Sequence, residues 1–193
     1  MKALRKTSPG EATLELHDVP APKPANGQVV IEVAAAGICG TDIHIMQGEY
    51  PSAPPVTLGH EIAGTIAELH EDASGWHEGQ RVVTETYFSV CGTCRFCRGG
   101  RPNLCADRAS IGSFRDGGFA AKVMVPQANL HLLPEHIGFP EAALMEPLAC
   151  VARGLLELGR ITAGDKVVIA GPLVLYRVRR GGDPRWRVSL PRR

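Results

Sequence analysis

Leu14 and Leu16 alternate with Glu15 and His17, the period-two pattern of a strand with unlike faces. A mostly apolar run over 28–36 follows a turn-forming stretch at 22–27, rich in Pro and ending in Gly27. The same kind of short run recurs at 62–69, 81–88, 119–125 and 129–133, each bounded by Gly, Pro or polar residues. Many short strands in series predict a barrel or sandwich. The pattern changes at Phe139. Pro147 suits the first turn of a helix, and Leu148, Val151, Ala152, Leu155 and Leu158 give an apolar face over 147–158, ended by Gly159. The run at 166–170 then reads as a buried parallel strand, the opening of an α/β unit that the following residues do not complete.

Composition adds a core and a division. The chain has 193 residues and is 44% hydrophobic, enough to bury a real interior. Its formal charge of +1 hides a split: residues 1–172 hold 14 basic and 19 acidic side chains, whereas 173–193 hold seven arginines and one acid, Asp183. No run approaches the roughly 20 apolar residues of a membrane span, and the first residues lack the apolar centre of a secretory signal. A cytoplasmic location is therefore expected, where six cysteines suggest metal thiolates rather than disulfides.

Four of those cysteines stand as Cys91-Gly-Thr-Cys94-Arg-Phe-Cys97 and Cys105. Tetrahedral zinc takes four sulfurs, and such short gaps let one loop wrap the ion. With all four positions filled by protein, none is left for water or substrate, so the expected site is structural. A cluster of incidental thiols is the plainer alternative. A nucleic-acid-binding zinc ribbon is another, encouraged by Arg95, Arg98, Arg101 and Arg108. Ribbons space two C-x-x-C knuckles widely, however, and Phe96 is the lone stacking surface nearby, so the arginines are read as a solvated face and no nucleic-acid partner is expected.

Two further segments, Gly37-Ile-Cys39-Gly-Thr41-Asp42-Ile-His44 and Gly59-His60-Glu61-Ile-Ala-Gly64, are weak when taken singly, since a lone His or Cys is more often a core residue than a ligand. Together with the four-cysteine loop, and with Glu146-Pro147-Leu148-Ala149 after it, the sequence resembles the zinc-dependent medium-chain alcohol and polyol dehydrogenases, in the sorbitol, threonine and butanediol dehydrogenase branch. The resemblance covers residues 1 to about 171. It implies a mainly β, GroES-like barrel over 1–146 with a structural-zinc lobe at 89–107, and the start of a Rossmann domain over 147–171. It also implies a catalytic zinc held by Cys39, His60 and Glu146, with Glu61 able to join or exchange, so that two zincs per chain are expected. Asp42 would orient His60, and Thr41 and His44 would form a proton relay. The implied reaction passes hydride from a small secondary alcohol or polyol to NAD(P). Without the resemblance, Glu146 reads as a carboxylate favoured at a helix start.

The chain departs from the family after Gly171. The Gly-rich turn of a dinucleotide site should follow the strand at 166–170, but Gly171-Pro-Leu-Val-Leu-Tyr176 lacks its second and third glycines. The arginine-rich residues 172–193 are read as non-family sequence from a shifted reading frame, rather than as a basic tail for nucleic acid or membrane. The expectation is a chain that lacks its cofactor domain, is inactive alone and does not form the family's homo-oligomer. A rival from another class is a zinc-stabilised binding domain without redox chemistry.

Overall fold

The structure is a computed structural model that describes residues 1–159; the strand expected at 166–170 and the basic tail lie outside the described residues. In chain order the elements are β1 (Lys2–Lys6), β2 (Leu14–Asp18), β3 (Gln28–Gly37), α1 (Gly40–Met46), β4 (Val56–Thr57), β5 (Glu61–Leu69), β6 (Arg81–Thr84) and β7 (Tyr87–Ser89). These are followed by α2 (Arg95–Arg98), β8 (Ala109–Ser110), β9 (Lys122–Pro126), β10 (Leu130–Leu132), α3 (Phe139–Ala142) and α4 (Met145–Ala152). The last helix continues as a π-helical turn, Arg153–Leu158.

The strands form antiparallel sheets in the orders β2-β1-β4, β10-β6-β5-β3-β9 and β7-β8. β3 is the longest strand and lies inside the five-stranded sheet between β5, its central strand, and β9, where its β-branched run packs well on the pleated surface. Val29 and Ile31 face a core shared with Ile62, Ile66, Val82, Ile111, Val123, Val125 and Leu130. Burying a side chain such as Ile66 fully contributes about 1.5–3 kcal/mol, so this cluster is the main source of stability. On the opposite face, Ala35 and Ala63 leave room for α3 to set Ala142 and Ala143 against the sheet. The approach to α3 is held by the Arg81 guanidinium, 4.6 Å from the Phe139 ring centroid.

Several expectations shift in detail. The run at 81–88 divides into β6 and β7, since β6 pairs with β5 and β10 whereas β7 leaves to pair with β8. β2 is an edge strand, and the expected alternation is not kept: Leu14 and His17 are half-buried while Leu16 is 65% exposed. The helix expected from Pro147 begins at Met145, with Pro147 still inside the first turn where its missing N–H costs nothing. Its apolar side chains Leu148, Val151, Leu155 and Leu158 are exposed. No helix among the described residues is long and apolar enough to cross a membrane.

Candidate metal centre

The end of one strand pairing brings two motifs together. β3 and β5 pair antiparallel up to the rung Gly37↔Glu61. Cys39 and His60 therefore leave the sheet at the same end, one from each of two adjacent strands, just beyond that rung. Cys39 stands at the N-cap of α1, and Asp42 in the first turn of that helix is buried. The Asp42 carboxylate accepts the Cys39 N–H at 2.9 Å and the Gly59 N–H at 3.2 Å, tying the two loops to one anion. Its Oδ1 also lies 3.6 Å from His60 Nδ1, a charge contact longer than a hydrogen bond.

The ligand atoms of Cys39, His60 and Glu61 lie within 4.8 Å of one another. Glu61 reaches this cluster because its carboxylate lies over Gly37, where a β-carbon would collide with Oε2. Hydrogen bonding to His60 outweighs the opposing effect of burial and lowers the Cys39 thiol below its ordinary range. Burial disfavours a charged His60, but the Asp42 carboxylate and the Cys39 sulfur prevail and push it up to about 10. Glu61 is raised, chiefly by burial, with the nearby charge of Glu146 adding to the shift. The groups around His60 thus favour its protonated form over the neutral imidazole. Zinc requires a neutral imidazole and a thiolate, so the anions that retain that proton are also those that would hold a metal in its place.

The remaining candidates sit around this cluster. Thr41 Oγ1 is 3.5 Å from Cys39 Sγ. His44, one turn along the exposed side of α1, pairs through Nδ1 with Glu49 at 2.6 Å. Glu146, in the first turn of α4, is near enough for its charge to act on Glu61 but is not a member of the close cluster. Cys150, one turn further along α4, has its Sγ 3.7 Å from Glu146 Oε1 and was not singled out from sequence. The Glu146/Cys150 spacing of four residues on a helix is the signal that finds it.

The second group is the lobe of Cys91, Cys94, Cys97 and Cys105, whose sulfurs also lie within 4.8 Å of one another. Individual separations are 3.5 Å for Cys94 to Cys97, 3.6 Å for Cys105 to Cys91 and 4.0 Å for Cys91 to Cys97. Tetrahedral zinc with sulfurs at about 2.3 Å needs them about 3.8 Å apart, so the donor set fits. Main-chain N–H groups turn toward the sulfurs, from Cys94 to Cys91 at 3.4 Å and from Cys97 to Cys94 at 3.5 Å. The N–H groups of Cys94 and Thr93 lower the Cys91 thiol to about 6, whereas desolvation and its bond with Cys94 raise Cys97 to about 12. All six cysteines are unpaired.

Residues 25–135 match the alcohol dehydrogenase GroES-like domain. The chain is 45% identical over 172 residues to a sorbitol dehydrogenase of Halalkalibacterium halodurans, covering 89% of this chain and 50% of that protein. It is 38% identical to a D-arabitol-phosphate dehydrogenase of Enterococcus avium, covering 89% of this chain and 49% of the relative. The chain thus spans about half the length of the curated relatives it matches. A crystal structure described as a zinc-binding dehydrogenase of Sinorhizobium meliloti 1021, bound to NADP, superposes with a TM-score of 0.76 at 39% identity, over 81% of this chain and 45% of that one.

Proposed function

This chain belongs to the alcohol dehydrogenase GroES-like domain family, and we propose that it is the metal-binding part of a zinc-dependent dehydrogenase that oxidises a small secondary alcohol or polyol with NAD(P) as hydride acceptor. The observation that carries this reading is the meeting of Cys39, His60 and Glu61 at the end of the β3–β5 pairing, apart from the four-cysteine lobe. Cys39 and His60 hold the catalytic zinc, with a carboxylate from Glu146 or Glu61 completing the protein ligands. Cys91, Cys94, Cys97 and Cys105 hold a structural one. When bound, the catalytic zinc supplies a Lewis acid that makes an alcohol proton easier to lose near neutral pH.

The chain's own residues then manage position and proton. Asp42 fixes the two ligand loops relative to each other. Thr41, beside Cys39, can accept a proton and donate one, and His44 at the exposed end of the same helix passes it toward solvent. NAD(P) and the substrate belong to a longer protein than the described residues. The division we favour is a catalytic domain over 1–146 and the beginning of a nucleotide-binding domain over 147–171.

Zinc counting on the purified chain tests this. Native mass spectrometry should find two zincs per chain, one in Cys39→Ala and one in Cys94→Ser. A single zinc in the unsubstituted chain, lost only on substituting the four-cysteine lobe, would overturn the catalytic reading and leave a zinc-stabilised domain.

A further inference from the structure

Lys6 ends β1, and its side chain is among the largest that are fully buried. A buried ammonium must find partners, because stripping it of water without replacing its hydrogen bonds is costly. Nζ donates to Ile45 O at 2.7 Å, to Met46 O at 3.2 Å and to Gly10 O. These three main-chain acceptors use all three of its donors.

The acceptors are not scattered. Ile45 and Met46 are the last two residues of α1, where carbonyls have no partner within the helix. Met46 O also accepts the Ala12 N–H at 3.0 Å, so Lys6 joins β1, the segment around Gly10 and the end of α1 in one knot. α1 has seven residues, which makes it roughly 10 Å long, short enough to move as one piece. Its opposite end carries Cys39 and Asp42, and its inward anchors are Asp42 and Ile45 alone.

We infer that Lys6 is a positioning residue for the catalytic metal centre: its ammonium fixes the far end of α1, and through that helix the placement of Cys39 Sγ and the Asp42 carboxylate against His60. This rests on the reading of Cys39 and His60 as zinc ligands. The hydrophobic cluster of Ile45, Val56 and Leu58 keeps the helix on the barrel, but a greasy contact does not set its rotation. Two directed hydrogen bonds to its last carbonyls do, with the third tying the same ammonium to Gly10.

The test is a Co(II) titration of the apo chain against a competing chelator, with Lys6→Met and Lys6→Arg beside the unsubstituted protein. The four-cysteine lobe serves as an internal control, since its tetrathiolate spectrum is separable from that of a Cys/His/carboxylate site. Lys6→Met should bind Co(II) at the lobe as before but at least about tenfold more weakly at the second site, with altered ligand-field bands there; this is the loss expected when a group that orients ligands is removed. Lys6→Arg, which keeps the charge and donors, should recover most of that affinity. Unchanged affinity and bands in Lys6→Met would overturn the inference. So would equal weakening at both sites, or a Lys6→Met chain that fails to fold, because either makes Lys6 a residue of general stability. If the unsubstituted chain binds Co(II) only at the lobe, the catalytic-site reading fails first, without reference to Lys6, and the inference falls with it.

Discussion

Asp42→Asn separates the carboxylate's two acceptor oxygens from its shape. In the native site Oδ2 accepts the Cys39 N–H and Oδ1 the Gly59 N–H, both to an ionised and buried group. An asparagine has the same outline but a single acceptor oxygen, so one of the two N–H donors must face an NH2 group whichever way the amide is set. Losing a hydrogen bond to a charged group costs about 1.5–3 kcal/mol, and the surviving one falls to the about 1 kcal/mol of a neutral pair. Removing a buried charge offsets part of this. The net expectation is a loss of about 2–4 kcal/mol, a large fraction of the roughly 5–15 kcal/mol by which a domain is stable. Metal affinity at the Cys39/His60 site should fall about 10–100-fold, because the negative charge 3.6 Å from His60 Nδ1 is lost and the loops that carry Cys39 and His60 are no longer tied together. Urea unfolding of the zinc-loaded chain reads the first effect, and chelator competition the second. Stability within about 0.5 kcal/mol of the unsubstituted protein, the range of an ordinary surface change, would refute the account of Asp42 as the tie between the loops.

Other substitutions probe the same frame. Gly37→Ala places a methyl group where the Glu61 carboxylate lies; that carboxylate is the end of a flexible side chain, so unfolding should change by less than about 1 kcal/mol while the metal site's Co(II) spectrum shifts. An unchanged spectrum would remove Glu61 from the site. Gly64→Ala instead drives its methyl into Glu32 O and the Ile31 side chain, which the sheet does not release, and should cost about 1–3 kcal/mol in the same unfolding assay. Ile66→Ala should cost about 2–5 kcal/mol as a cavity in the central cluster, measured by the denaturation midpoint. Chelation should open the four-cysteine lobe and let trypsin cleave the loosened backbone after the already exposed Arg95 and Arg98, while the barrel resists; cleavage at the same rate with and without chelator would mean that the lobe stands without metal.

Much of the barrel is legible in the sequence because its strands are short and marked by turn residues. The runs at 28–36 and 62–69 predict β3 and β5 within a residue or two. The five-residue β1 escapes because Lys2, Arg5 and Lys6 break its hydrophobic pattern, and the burial of Lys6 depends on carbonyls over thirty residues away. α1 escapes for a related reason: it has less than two full turns of pattern, and Asp42 faces inward as a buried anion rather than outward as a solvated one. The clustering of the four cysteines is fully legible, since all of them lie within fifteen residues of chain. The other cluster is legible only as separate motifs. Glu61 adjoins His60 in the chain, but its meeting with Cys39 follows from the sheet register, which no local spacing encodes.

The rung Gly37↔Glu61 also decides which parts of the chain are free to vary in length. Cys39 and His60 are twenty-one positions apart, yet the distance between them is set by the strand ends from which they emerge, not by the connection that wanders through Tyr50 and Pro51. That excursion can be lengthened or pared near its tip as a surface loop usually can. A single residue added inside β3 or β5 is another matter. It would displace Cys39 or His60 from its place beyond the rung and turn core side chains of the same strand to the wrong face, so the pocket and the packing behind it would fail together.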